Sequence, residues 1–365
     1  MFLIVTRNFP PDIGGMQMLM GGLSESLLNH GPVKVFAYEY QESDIYDKKT
    51  SMNIVRVKGI KLFKKYRQAN LVNDFIKTES NIRAVIADHW KSLELLKKEY
   101  LKKTQTFCLL HSKEINHEKG SSLNKRLIKS TNKADFIIAN SNFTKELAIK
   151  VGIDSSKINI IFPGIPKPKK IDNAAMIEAD RKFGDSFPKI ITVSRLDKRK
   201  GHDKILMLIK NLKPRFPKIK YISVGFGEEE NNLITLSKQL NLENEITLLK
   251  NVDYKLKIAL IAKANLFLMP SRIEKKSIEC FGISFIEAAS YGVGSIGGKD
   301  GGSSDAIAHN KTGLICDGTD LNSIYDSVIN FFENKNFIKY GKNAQEFSEK
   351  FHWNKIVKNY LQLIN

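Results

Sequence analysis

Glu279 and Glu287 stand eight positions apart in ECFGISFIEAASYG (residues 279–292), a stretch otherwise made of small and apolar residues. A carboxylate buried in such surroundings is costly unless it is paired or hydrogen-bonded. An ionised carboxylate only accepts hydrogen bonds, so its partners must be hydroxyls, N–H groups or cations. The spacing predicts a helix that starts near Gly282, with Glu279 in the loop at its mouth and Glu287 on its second turn. The amides of Gly282 and Ile283 are then free donors at a helix start, where anions bind well. One segment thus offers donors for a phosphate and acceptors for sugar hydroxyls. Taken alone, it reads better as a capping glutamate followed by a glutamate on a helix surface.

Other segments carry complementary chemistry. In ITVSRLDKRKGHD (191–203) a strand runs straight into Arg195, with Lys200 five positions later. A planar guanidinium fork and a point-charge ammonium together suit a diphosphate; Lys198 and Arg199 read as the solvated part of a basic loop. FPPDIGGMQ (9–17) places Gly14 and Gly15 between a strand and a helix, a plain tight turn or an approach for a phosphate. SVGFGEEE (223–230) and GGKDGGSSDAI (297–307) repeat the strand–glycine–helix pattern, and His111 closes the run FCLLH. No Cys or His cluster has metal-ligand spacing. Cys108, Cys280 and Cys316 are scattered, as expected of reduced thiols in a cytoplasm.

These residues need elements to hold them. Apolar, β-branched runs at 2–6, 33–38, 84–88, 107–111 and 136–140 alternate with amphipathic stretches such as 17–29 and 141–151. A second series follows at 189–194, 220–225, 245–249, 264–270 and 294–298. The βαβα rhythm predicts an α/β fold of two Rossmann-like domains, 1–165 and 186–349. The proline- and lysine-rich stretch 163–185 is expected to link them, and a C-terminal helix at about 350–365 to cross back to the first. In such sheets ligands bind beyond the carboxyl ends of the strands, where the motifs fall.

The formal charge of +19 speaks to partners more than to fold. Anionic membranes, phosphorylated substrates and nucleic acid are candidates, as is a lysine-rich composition without functional meaning. No aromatic-interleaved reader motif supports nucleic acid. No apolar run reaches the ~20 residues that span a bilayer, and the first residues read as a strand, not a leader. In GIKLFKKYRQANLVNDFIK (59–77), Lys61, Phe63, Lys64, Lys65 and Arg67 make a basic amphipathic segment suited to docking on an anionic leaflet. A core-facing stripe with a solvated lysine face explains it as well.

The order and spacing of Gly14-Gly15, Arg195/Lys200, Glu279/Glu287 and Gly301-Gly302 resemble those of family 4 retaining glycosyltransferases of the GT-B fold. E-x7-E and R-L-x-x-x-K-G are the most specific pieces, and the likeness covers almost the whole chain. It implies a nucleoside diphosphate sugar as donor, UDP- or GDP-linked, held in a cleft between the domains, with no metal or other cofactor. Arg195 and Lys200 would bind its diphosphate, Glu287 the ribose hydroxyls and Glu279 the transferred sugar, with the Gly282 and Ile283 amides on the β-phosphate. Gly14 and Gly15 would admit the diphosphate, and His111 matches an active-site histidine. "IIFPGIP" and "GVGSIGG" depart slightly from the family's pattern at the linker and at one loop. The long segment PSRIEKKSIECFG is similar to that of relatives that mannosylate phosphatidylinositol lipids. The expected activity is therefore hexosyl transfer to a membrane lipid at the inner face of the cell membrane. The alternatives are a soluble enzyme that extends a polysaccharide or lipopolysaccharide chain, and a sugar-nucleotide epimerase on the same fold.

Overall fold

The computed structural model describes residues 1–364, with only the backbone of Lys61. The chain divides into two compact units, Met1–Pro166 with Phe351–Asn365, and Lys167–Lys350.

Unit 1 carries seven strands: β1 (Phe2–Val5), β2 (Val33–Tyr38), β3 (Asn53–Val57), β4 (Ala84–Ala87), β5 (Gln105–Leu110), β6 (Phe136–Ala139) and β7 (Ile158–Ile160). They form one parallel sheet in the order β3-β2-β1-β4-β5-β6-β7. Alternate residues point to opposite faces, and both faces are covered. Leu3, Val5, Val85 and Ala87 meet Trp90, Val72 and Leu127 on one side. On the other, Phe2, Ile4, Ala84 and Ile86 meet Leu19, Leu23 and Leu27 of the helix Gly15–Leu28, together with Ile356, Val357 and Tyr360. Those last three belong to the helix Trp353–Leu363, which returns to unit 1 after the whole of unit 2. Trp353 fixes its start: a β-carbon added at Gly22 or Gly164 would lie 2.2 or 2.3 Å from the indole, so both glycines admit the ring. The C-terminal segment is not one continuous helix, because His352 bridges in parallel to Ile165 and interrupts it.

Unit 2 carries β8 (Lys189–Val193), β9 (Lys220–Val224), β10 (Ile246–Leu249), β11 (Leu266–Met269), β12 (Ser295–Gly298) and β13 (Gly313–Cys316). Its sheet is again parallel, in the order β10-β9-β8-β11-β12-β13. The stretch expected as a linker holds the helix Asn173–Phe183, which starts on an Asp172 side-chain cap and packs in unit 2. Three prolines and a lysine cluster obscure that helix in the sequence. In each sheet the strand order reverses at one point, between β1 and β4 and between β8 and β11. In each sheet, the loops leaving the two strands at that point lie where such sheets bind ligands.

Candidate active site

In unit 2 the loops after β8 and β11 bring the charged residues together. The turn Lys198–Lys200 is a short 3-10 helix closed by Gly201. It buries two cations against Glu279: Arg199 donates at 2.6 Å to Oε2, and Lys200 donates to the same oxygen. Arg199 is therefore not a solvated loop residue. It is as buried as Lys200, because the tight turn points both side chains inward. Burial by itself pushes the Glu279 carboxyl up, but Lys200 and Arg199 outweigh it and hold it at about 2. Its Oε1 takes no hydrogen bond from the described residues. The side chain is thus held from one side and left open on the other.

Glu279 is fixed through its backbone as well. Its carbonyl accepts from Gly302 at 2.9 Å, and a β-carbon at Gly301 would lie 2.2 Å from that carbonyl oxygen. Glycine at 301, with φ +88°, is what lets the two loops touch. Gly282 (φ +87°) then starts the helix Ile283–Ser290 without a side-chain cap. No acceptor among the described residues is set against the amides of Gly282 and Ile283.

Glu287, on that helix, receives Lys257 at 2.5 Å on Oε1, with the two side chains 10% and 15% exposed. Its Oε2 likewise takes no hydrogen bond from the described residues. Each glutamate of the E-x7-E pair therefore keeps one oxygen on a cation and presents the other.

Arg195 differs from its neighbours. Its side chain is two-thirds exposed and touches Asp197 at 3.1 Å. Asp197 also faces Arg199, at 3.5 Å. Oδ1 of Asp197 and Nε of Arg199 are buried without a partner, and each such atom costs about 1–3 kcal/mol. An arrangement chosen for stability alone would have matched them.

In unit 1, Gly14 and Gly15 open the helix after β1. A β-carbon at Gly15 would meet nothing within 4 Å, so nothing inside the unit requires glycine there. After β4, Asp88 is buried and accepts from Thr6 Oγ1 and the Arg7 amide at 2.9 and 3.0 Å. After β5, His111 is buried. Its Nε2 donates to the Asp88 carbonyl at 3.0 Å, and this fixes the tautomer in which Nδ1 accepts from Asn140 at 3.4 Å. Burial and nearby His89 lower the ring to about 4, so it is neutral at physiological pH. Both ring nitrogens are therefore engaged within the unit.

The helix Lys61–Thr78 separates into two parts. Ala69, Val72 and Ile76 are buried in the core, whereas Ile60, Leu62 and Phe63 are 73%, 75% and 63% exposed, with Tyr66 beside them. Lys64 and Lys65 lie half-buried over the rings of Tyr38 and Tyr66, and Arg67 is exposed. The core-facing stripe and the exposed apolar tip thus occupy successive turns of one helix. No helix of the described residues is long and apolar enough to cross a membrane.

Comparison with known proteins gives the family. Residues 176–350 match the family model for glycosyl transferases group 1, and residues 13–169 match that for glycosyltransferase family 4. The chain belongs to the family 4 glycosyltransferases. Among its relatives, the GDP-mannose-dependent alpha-(1-6)-phosphatidylinositol monomannoside mannosyltransferase of Mycobacterium tuberculosis is 25% identical over 346 residues, 89% of this chain and 87% of that protein. Its Mycolicibacterium smegmatis counterpart is 26% identical over 341 residues, with the same coverage of each chain. The fold matches the crystal structure of Anabaena HepE in complex with UDP, with a TM-score of 0.82 at 17% identity over 99% of this chain and 98% of that one. The fold is therefore GT-B. In this glycosyltransferase, Arg199 and Lys257 contact the two glutamates and Asp197 contacts Arg199, partners that sequence reasoning missed. The one signal available for a cation was the cost of leaving two buried glutamates unpaired.

Proposed function

We propose that this glycosyltransferase moves a hexose, with retention, from a nucleoside diphosphate sugar to a hydroxyl of a membrane lipid. The observation that carries the proposal is the pair of glutamates, each held by cations on one oxygen and open on the other, beside uncapped helix-start amides. Glu287 accepts from the ribose hydroxyls and Glu279 from the hydroxyls of the transferred sugar. Arg195, Lys200 and the Gly282 and Ile283 amides receive the diphosphate. As the bond between the anomeric carbon and the β-phosphate oxygen breaks, these donors stabilise the charge that builds on the leaving group. The acceptor oxygen bonds to the anomeric carbon on the same face, and its proton passes to the departing phosphate. Gly15 leaves room at the first helix for the diphosphate. Charge stabilisation by side chains and amides makes the reaction independent of added metal.

The lipid acceptor is supported by the mycobacterial relatives and by the exposed tip of the helix Lys61–Thr78, where Leu62, Phe63 and Tyr66 lie among Lys64, Lys65 and Arg67. Each basic residue near an anionic leaflet contributes about 1 kcal/mol. The protein then works as a peripheral enzyme at the inner face of the cell membrane. The test is a thermal-shift panel of GDP-mannose, UDP-glucose, GDP and UDP, followed by sugar transfer to vesicles containing phosphatidylinositol monomannoside. A donor at 100 times its Kd stabilises by about 2.7 kcal/mol. Silence across the whole panel would overturn the donor reading. Transfer to soluble saccharides but never to vesicles would replace the lipid with a growing chain.

A further inference from the structure

The charged side chains beside Glu279 alternate in sign along one continuous chain. Arg195 and Arg199 both face Oδ2 of Asp197, at 3.1 and 3.5 Å, and Arg199 and Lys200 both meet Oε2 of Glu279. Three cations and two anions leave a net charge of +1. The exposed end is Arg195 and the buried end is Glu279 with Lys200. Arg199 joins the halves, giving one terminal amino group to each carboxylate.

We infer that Arg199 and Asp197 are positioning residues for glycosyl transfer. They fix the separation between the arginine that meets the diphosphate and the glutamate that meets the transferred sugar, and they turn Oε1 of Glu279 outward. The inference rests on the roles proposed above for Arg195 and Glu279.

The geometry favours this over a purely structural part. The turn is anchored independently of the Arg199 side chain, since the Arg199 carbonyl accepts from the Arg272 amide at 2.9 Å. Arg272 is itself clamped to Asp203 by two bonds of 2.9 and 3.0 Å. The turn therefore keeps its backbone anchor when residue 199 changes. A lysine there retains the charge but has no planar fork with which to span two carboxylates.

The same chain sets how Glu279 titrates. Lys200 and Arg199 face the carboxylate from the turn, and Asp197 and Cys280 lie around Arg199. Removing Arg199 takes away one of two cations that keep Glu279 ionised, so its carboxyl moves back toward the ordinary range.

The test uses the full chain with GDP-mannose and UDP-glucose as probes. Donor Kd is read by calorimetry, and kcat from release of GDP or UDP with and without acceptor vesicles. Arg199→Lys and Asp197→Asn should each lower kcat about tenfold or more with little change in donor Kd. In Arg199→Met the acid limb of the kcat profile should move to higher pH by about half a unit or more. Glu279→Gln is run beside them. If it keeps full kcat, the assignment of Glu279 fails and this inference falls with it. If it loses kcat while the Arg199 and Asp197 variants match the parent enzyme, only the positioning role is overturned. Loss of kcat that merely tracks the folded fraction, measured by circular dichroism, also overturns it.

Discussion

Lys257 offers a way to separate what Glu287 does for the fold from what it does for a ligand. The ammonium lies 2.5 Å from Oε1, and both side chains keep only a little exposure. Lys257→Met preserves the packing of the stem and removes the charge. Breaking a buried ion pair from one side costs about 3–5 kcal/mol, and the residual exposure of both partners points to the lower end. For a unit the size of Lys167–Lys350, each kcal/mol moves the melting midpoint by roughly 2–4 °C. The midpoint of unit 2 should therefore fall by roughly 6–12 °C. Glu287→Gln strands the ammonium instead and should cost a similar amount. The double variant leaves no buried charge unpaired and should be less destabilised than either single variant, which takes a coupling of more than about 3 kcal/mol. Donor affinity should behave differently. Glu287→Gln loses a charge-assisted bond to ribose, about 1.5–3 kcal/mol, so donor Kd rises roughly 10- to 150-fold. That loss should persist in the double variant. Scanning calorimetry gives the stabilities and titration calorimetry with GDP-mannose or UDP-glucose the affinities. If the double variant regains affinity together with stability, Glu287 serves the fold and the ribose assignment is wrong.

Three further outcomes are expected. Gly15→Ala should leave the urea midpoint unchanged, since the added methyl meets nothing within 4 Å, yet weaken donor turnover; unaltered turnover would remove the first helix from the donor site. Glu114, which accepts from the His111 amide at 2.5 Å, is pushed up by burial to about 8. Its folded-state value lies above the unfolded one, so its contribution is complete at low pH and is lost as pH rises toward 8. His111, lowered to about 4, contributes no slope above its ordinary value near 6.5. Between pH 6.5 and 8 stability should therefore fall by up to about 1.4 kcal/mol per pH unit, and Glu114→Gln should flatten that slope; an unchanged slope would show the carboxyl is ionised in the fold. Replacing Lys61, Lys64, Lys65 and Arg67 together with serine should abolish sedimentation with anionic vesicles and leave donor binding intact, and parent binding should fade with salt because the Debye length is only ~8 Å at physiological ionic strength. Indifference of the parent enzyme to vesicles at low salt would remove the docking surface.

What could be read from the sequence followed burial in unit 1 but not throughout unit 2, where β13 went unread with three buried residues among four and the edge strand β10 was read with one among four. The central strands announce themselves as apolar runs because both of their faces are covered. β3, β7 and β13 went unread, and each lies at a sheet edge. β3 has only one fully buried residue among five, and β7 one among three. Arg195, Lys200 and Glu279 could be picked out as candidates because strand ends and glycines mark them locally. Their partners could not be. Lys257 reaches Glu287 across 30 positions, and Arg199 reaches Glu279 across 80. Within K-R-K the sequence holds nothing to say that a tight turn points the last two side chains inward. His111 stood at the expected strand end, but only the fold reveals that Asp88 and Asn140 occupy both of its nitrogens.

The helix Trp353–Leu363 has a consequence for biosynthesis. Its Ile356, Val357 and Tyr360 complete one face of the unit 1 core, yet they are encoded after all of unit 2. A nascent chain that has exposed its first 166 residues therefore presents a sheet with part of its cover missing, and Gly22 and Gly164 frame a slot without its indole. Domains fold in order as they leave the ribosome, so unit 2 becomes compact while the first unit still waits for its last helix. The opening half is thus the final one to close, and a chain stalled anywhere before Trp353 leaves apolar surface open to chaperones and to aggregation.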